Sequence, residues 1–294
     1  MSPAPCLDRI GVVVHPRREL DGALRALRDW AAGCGAEVVQ IPMARIDRVV
    51  AEAGTADTCD VVLALGGDGT TLAALHAAGP VGKPVLGVAC GSLGALTATS
   101  SDQLDEALAS LSAGEWEPRS LPGIAVTADG SPPAVAINDF VVVRKGASQI
   151  AVAIDVDGER FIHFAGDGIV IATPLGSSAY TMAAGGPVLS HAASMVLTPL
   201  APHGGTCPPL VVGHDSHVRV TIEPGYYGAR IELDGHPEEQ TPTTLSVTWR
   251  PDYATLVSFP GAESLLAGLR RRRILMDSPR ALARDERAAA VTRR

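Results

Sequence analysis

The chain has 294 residues, 46% of them apolar and 19% charged, with 31 glycines and a formal charge of −8 at pH 7. That length buries an ample core without disulfides or structural metals, and the acidic balance excludes a general nucleic-acid binder, which relies on clustered Lys and Arg to release counterions. The five cysteines (Cys6, Cys34, Cys59, Cys90, Cys207) are scattered with no C-x-x-C pair, so they read as thiols in a reducing compartment and not as a disulfide framework or zinc ribbon. No apolar run approaches the roughly 20 residues of a membrane span and residues 1–9 lack a leader pattern, so the expectation is a cytoplasmic protein with no membrane partner.

The first third alternates strand and helix. Residues 10–14 are a short continuous apolar run, and Leu20, Leu24, Leu27 and Ala31 recur at helical spacing until Gly33 and Gly35 stop them. Residues 36–41 and 61–65 read as further strands, the latter running into Gly66-Gly67-Asp68-Gly69-Thr70, and residues 84–88 as a fourth before a helix at 103–111. Strands separated by helices imply a parallel sheet with crossover helices. From about Ser120 the period changes to short alternating runs, at 135–143, 149–156, 160–164, 169–172, 218–222, 229–233, 245–249 and 255–259. The expected architecture is therefore an α/β N-terminal domain with a parallel sheet (1–119, completed by 260–280) and a mostly β C-terminal domain (120–259). An Arg/Ala-rich tail at 281–294 is expected to fray.

Two motifs carry chemistry. In Gly66-Gly67-Asp68-Gly69-Thr70 the glycines let backbone approach a ligand and leave N–H groups free at a helix N-terminus, where partial positive charge favours phosphate. A carboxylate there repels phosphate unless it binds Mg²⁺ or accepts a proton, both of which phosphoryl transfer uses. The plainer reading is a strand-to-helix turn with Asp68 as cap. The second motif runs from Gly166-Asp167-Gly168 through Thr173-Pro174-Leu175-Gly176-Ser177-Ser178-Ala179-Tyr180 to Gly185-Gly186-Pro187. Its hydroxyls and amides can face a ribose or phosphate while Tyr180 covers a base. No G-x-x-x-x-G-K-[ST] is present, so no P-loop holds the donor.

With both motifs, and with Thr198-Pro199-Leu200-Ala201-Pro202-His203 and Asp234-Gly235-His236 following in order, the sequence resembles the ATP-NAD kinases over most of residues 9–276. The resemblance implies an NAD kinase-like fold and transfer of the terminal phosphoryl of ATP, or of polyphosphate, to the adenosine ribose 2′-hydroxyl of NAD, with Mg²⁺ or another divalent cation. It implies Asp68 as the catalytic aspartate that takes the ribose proton, with Gly67, Gly69 and Thr70 lining the nucleotide. Asn138 and Asp139 stand for an Asn-Glu pair that binds the acceptor's adenosine and ribose. Asp167 matches an acidic residue at the nicotinamide end. Ser177, Ser178, Ala179 and Tyr180 match the loop that grips the acceptor, often across a subunit boundary, and His236 lies near the same site. The family also implies a homodimer or homotetramer. Metal ligands are not assigned.

The chain departs from that pattern. Ala89 stands where Asn is usual, Ser92 where a basic residue or His is, Ala95 where a large aromatic sandwiches adenine, Thr71 at a commonly apolar position and Asp139 for the longer Glu. A lost stacking face is worth roughly 0.5–1.5 kcal/mol, or about tenfold in affinity. The departures motivate an alternative, a kinase of the same mechanism with another nucleoside or small-molecule hydroxyl as acceptor. A non-catalytic nucleotide sensor is a second. His214 and His217 read as surface histidines, Arg270-Arg271-Arg272-Arg273 as a solvated helix end complementing its dipole, and Trp30, Trp116 and Trp249 as packing residues.

Overall fold

β1 (Arg9–Val14) begins a computed structural model that describes residues 7–43, 48–128, 130–190, 193–282 and 284. It is followed by α1 (Asp21–Cys34), β2 (Glu37–Gln40), β3 (Glu52–Ala53), β4 (Val61–Gly66), α2 (Asp68–Ala78), β5 (Pro84–Ala89), β6 (Thr99–Ser100) and α3 (Leu104–Ser112). β1 pairs in parallel with both β2 and β4, and β4 with β5. These strands read as unbroken apolar runs because both faces are covered. Leu24, Leu27, Leu104 and Leu108 of α1 and α3 pack on one face, and Ala74, Leu75 and Ala78 of α2 on the other. α1 ends at Gly35, whose φ of 78° is the left-handed conformation that closes a helix without a Cβ penalty.

The second half comprises β7 (Glu117–Ala128), β8 (Ala134–Ala136), β9 (Asp139–Arg144), β10 (Ile150–Val156), β11 (Glu159–Gly166), β12 (Gly168–Ala172), α4 (Tyr180–Ala183), β13 (Ser194–Leu200), β14 (Leu210–Gly213), β15 (Val218–Glu223), β16 (Ala229–Leu233), β17 (His236–Pro237) and β18 (Thr244–Ser258). A six-stranded sheet in the order β14-β13-β12-β9-β16-β17 packs against β11-β10-β15-β18. Phe140, Val142, Ile169 and Ile171 of the first sheet meet Val152, Ile154, Val220 and Val247 of the second, as inward alternation in a sandwich requires.

The two halves are not separate sheets. β18 pairs with β15 through residues 244–247, then continues past an irregularity between Arg250 and Ala254 to pair in parallel with β5 at Thr255 and Leu256. β7 runs beside it along its whole length, so one long ribbon joins the parallel sheet to the sandwich. The single strand expected over 135–143 is broken at Ile137 and Asn138, because their N–H groups turn to the Asp234 carboxylate and leave the ladder. α5 (Leu265–Arg271) starts later than the helical pattern over 262–269 predicts; it buries Leu269 and reaches the first half through Arg271, which donates to the Leu93 carbonyl. Of the tail, a helical turn opens at Pro279 behind Ser278, and residues 283 and 285–294 lie outside the described residues.

Trp30 and Trp116 pack on the parallel-sheet core and Trp249 on the sandwich core. Cys34, Cys59, Cys90 and Cys207 are free thiols, and Cys6 lies outside the described residues. Among the described residues, no helix is long and apolar enough to cross a membrane.

Candidate functional site

From β1 the chain crosses through α1 to β2 on one side, whereas β4 and β5 lie on the other. The loops leaving β1 and β4 therefore diverge, and open α/β sheets place ligands at such a switch point, outside the carboxyl ends of the strands. A cleft of about 350 Å³ opens there, lined by His15, Arg18, Gly67, Asp68, Gly69 and His236 among others.

Its floor is the start of α2. The first intrahelical bond runs from Thr71 N–H to the Gly67 carbonyl, so the N–H groups of the preceding turn are free for an anion and carry the positive end of the helix dipole. The Thr71 hydroxyl also donates to the Gly67 carbonyl at 3.1 Å, which satisfies a hydroxyl where an apolar side chain was the usual choice. On the opposite wall Arg18 donates through Nη1 to the carbonyls of Gly66 (3.0 Å) and Cys90 (3.1 Å), tying the loops after β1, β4 and β5 together around its charge. The His15 Nδ1 accepts from the Arg17 and Arg18 N–H groups at 3.1 Å each. In the neutral ring Nε2 therefore carries the proton. Burial, then Arg18 and Arg17, holds the ring below the ordinary histidine pKa.

Asp68 is the first residue of α2, and its carboxylate turns to the loop after β5. Oδ2 accepts from Ala95 N–H and Oδ1 from Leu96 N–H, each at 2.9 Å. A Cβ on residue 94 would overlap this carboxylate, so Gly94 is what lets the loop approach. From the far side Arg271 clamps the same loop, donating to the Leu93 carbonyl (2.8 Å) while pairing with Glu263. One member of the arginine run expected to be a solvated helix end thus reaches the Asp68 loop, which spacing at the end of a helix cannot reveal.

Asp234 joins the halves. It holds φ of 52° at the turn after β16, and its fully buried carboxylate accepts from the N–H groups of Ile137 (2.7 Å), Asn138 (2.7 Å) and Asp139 (2.9 Å). The His76 Nε2 lies 2.7 Å from the same carboxylate. His76 is eight residues, about 12 Å of helix, beyond Asp68, so a single rigid element carries the glycine-turn carboxylate at one end and the anchor of residues 137–139 at the other. Thr173 closes the knot, donating its hydroxyl to the Ile137 carbonyl (2.7 Å) and its N–H to that of Asn138 (2.9 Å). Gly176 packs so close to the Asn138 carbonyl that a Cβ has no room.

The Asn138-Asp139 pair, the turn after Thr173 and the Asp234-Gly235-His236 turn are thus brought together, and His236 reaches the Asp68 cleft. Asp139 is buried at the start of β9, opposite Ala172. Burial, with Asp234 and Glu232 adding repulsion, pushes its carboxyl up to about 7. Burial and the charges of Glu232, Asp139 and Asp167 raise the half-exposed Tyr180 phenol. Asp167 itself stands at the other end of β12 from Thr173, roughly 20 Å along the strand, paired with Arg144.

Ser177 is fully buried, its hydroxyl donating to the Pro174 carbonyl and accepting from Leu189 N–H, so it stitches the loop shut. The Ser178 hydroxyl bonds weakly to the Leu175 carbonyl (3.3 Å), while Ala179 stays exposed beside it. Thr70, largely buried against Gly66, still lines the Asp68 cleft. The sequence reading missed His15, Arg18, His76 and Arg271. Only the first pair had a legible signal, a His-Pro-Arg-Arg run leaving an apolar strand.

The comparisons with known proteins agree in both halves. The ATP-NAD kinase N-terminal domain matches residues 10–116, and the ATP-NAD kinase C-terminal domain matches residues 137–253. An NAD kinase of Gemmatimonas aurantiaca is 35% identical over 218 residues, 71% of this chain and 75% of that protein. This chain belongs to the ATP-NAD kinase family. Another family member, an NAD kinase of Heliobacterium modesticaldum, is 38% identical over 187 residues, 60% of this chain and 65% of that protein. The chain thus spans a little less than two thirds of that relative's length. The ATP-NAD kinase fold extends over nearly the whole chain: yeast NADH kinase in complex with NADH aligns over 93% of this chain and 89% of its own, with a TM-score of 0.75 at 20% identity. An NAD kinase from Archaeoglobus fulgidus in complex with ATP aligns over 90% and 96%, with a TM-score of 0.70 at 24% identity.

Proposed function

We propose that this chain is a cytoplasmic kinase that transfers the terminal phosphoryl group of ATP, or of polyphosphate, to the 2′-hydroxyl of the adenosine ribose of NAD, giving NADP. The observation that carries the reading is the single cleft in which the amide-rich start of α2, the Arg18 guanidinium and the Asp68 carboxylate face one another beside His236 of the acceptor half. Free amides and Arg18 hold the polyphosphate, and the His15 Nε2–H adds a neutral donor. Asp68, held by two amides, accepts the proton as the ribose oxygen attacks the terminal phosphorus and the bond to the leaving diphosphate breaks. Positioning and charge neutralisation supply most of the rate.

Mg²⁺ fits the cleft in one manner. Asp68 is the one carboxylate among its lining residues, and among the described residues no group of three His, Cys, Asp or Glu side chains could hold a metal. A cation held by Asp68 and substrate phosphates, with water completing its shell, matches Mg²⁺ habits. Bound there, it would neutralise charge developing on the phosphoryl oxygens.

Acceptor recognition falls to the knot around Asp234. The Asn138 side chain and the Asp139 carboxylate address the adenosine end, with Ser178, Ala179 and Tyr180 over it. Asp167, far along β12, suits a site completed by a second copy in a homodimer or homotetramer. The test is direct: purified protein with Mg-ATP and NAD forms NADP, followed by a coupled NADP-dependent dehydrogenase. Absence of NADP alongside phosphorylation of a different nucleoside would replace NAD as acceptor.

Two further outcomes are expected. Arg18→Ala raises KM for the donor by about 10-fold or more, the worth of a hydrogen bond to a charged group, while KM for NAD stays within a few-fold; steady-state kinetics in both substrates separates the two. Asp139 gives opposite pH trends in binding and stability. Its ionised form is the acceptor for a ribose hydroxyl, so KM for NAD falls as pH rises through about 7. The folded chain keeps the proton that the unfolded one releases near pH 4. Asp139 therefore contributes less stability as pH rises from about 4 to about 7. Asp139→Asn flattens both trends in NAD titrations and in urea unfolding across pH 5 to 8.

A further inference from the structure

β15 alternates buried Val218, Val220 and Ile222, which enter the sandwich core, with Arg219, Thr221 and Glu223, which face the other way. On β10 beside it, Asp155, Ala153 and Ala151 stand in register with those three, and on the other flank Thr244 of β18 lies opposite Thr221. The middle of this outer face is therefore flat and built from alanine and threonine. Alanine is a poor strand former that gains nothing from a water-facing position, whereas against a second sheet its size lets two backbones approach closely.

The charges stand at the two ends of the patch. Among the described residues no carboxylate lies within ion-pair distance of Arg219, because Asp155, its neighbour in register, is paired with Arg160. Glu223 has the His163 ring 3.6 Å away, beyond hydrogen-bond range.

We infer that this face binds the same face of a second copy of the chain, about a two-fold axis that runs across the strands at Thr221. Such an axis reverses the strand direction and leaves the row of Ala153, Thr221 and Thr244 in place. Arg219, two residues to one side of that row, then meets Glu223 of the partner subunit, two residues to the other side, and the exchange is reciprocal, as an isologous contact requires. An axis along the strands would set Arg219 against its own image, so the charges select the first arrangement. The face lies on the opposite side of the sandwich from the loop that packs Ala184 and Leu189 on the six-stranded sheet. It is thus separate from any subunit contact that completes the acceptor site, and two such faces on one chain build a dihedral tetramer.

Sedimentation equilibrium of the full chain tests this without reference to any activity. Arg219→Glu and Glu223→Arg, made singly, each weaken self-association by about 100-fold or more, because like charges then meet across the axis; a tetramer falls to dimers, or a dimer to monomers. The two changes together restore complementarity and bring association back to within about 10-fold of wild type. Thr221→Tyr puts bulk on the axis and weakens association whatever the charges. Thermal melting confirms that each variant is folded. A wild-type chain that stays monomeric, single reversals that leave the assembly as it was, or a double reversal that associates no better than the single ones, overturns the inference. Failure of NADP formation leaves the sedimentation result standing, so the two readings fail separately.

Discussion

Asp68→Asn lowers kcat for NADP formation by about 10²–10⁴-fold, the range that a positioned proton acceptor contributes, while ATP affinity stays within a few-fold. The substitution keeps the size of the side chain but replaces one oxygen with an NH₂ group. Both carboxylate oxygens now accept backbone N–H groups, so the new amide meets one of those donors with a donor. The mismatch costs about 1–3 kcal/mol in stability, which urea unfolding reads independently of turnover. The non-catalytic sensor predicts that loss of stability and no loss of rate, since it has no rate to lose. Steady-state kinetics with NAD and Mg-ATP in wild type and variant decides: a kcat within a few-fold of wild type would remove Asp68 from the chemistry.

Asp234→Ala is expected to be the most destabilising single change, by about 3–5 kcal/mol, out of the roughly 5–15 kcal/mol typical of a folded domain. Three backbone N–H groups and His76 lose their shared acceptor at once, and each buried donor left unpaired costs of order 1–3 kcal/mol. Alanine is also less suited than Asp to φ of 52°. Asp234→Asn retains the backbone preference and one acceptor oxygen, so it loses less. His76→Ala removes only the tie to α2; its stability cost is smaller, about 1 kcal/mol, and it appears mainly as a raised KM for NAD. Urea unfolding of the three variants orders them, and an Asp234→Ala loss below about 1 kcal/mol would show that residues 137–139 do not depend on this carboxylate.

Much of the framework was legible because period and punctuation are local. The strands at 10–14, 61–65 and 84–88 announce themselves as apolar runs too short for helices, and Gly35 ends α1 where its spacing stops. The glycine turn was legible for a related reason: free amides at a helix start follow from where the strand ends and the helix begins. The ribbon of β7 and β18 was not legible, because a 15-residue strand that changes sheets half-way has no signature in its own residues. The break at Ile137 and Asn138 was hidden too, since its cause lies nearly a hundred residues away in Asp234.

The sequence by itself determined the family-like order of motifs, the parallel sheet followed by β structure, and the presence of a carboxylate in a glycine turn at a helix start, since these depend on neighbours within a few residues. Only the tertiary structure decided what surrounds that carboxylate. It brought Arg18 and His15 across from β1, the amides of Ala95 and Leu96 from the loop after β5, and Arg271 from the far end of the chain. It also turned Ser177 inward and carried Asp167 down β12, away from the turn after Thr173. Each of these depends on which chain segments the sheet order sets side by side, and an ordering of strands in space is not written in the periodicity of any one of them.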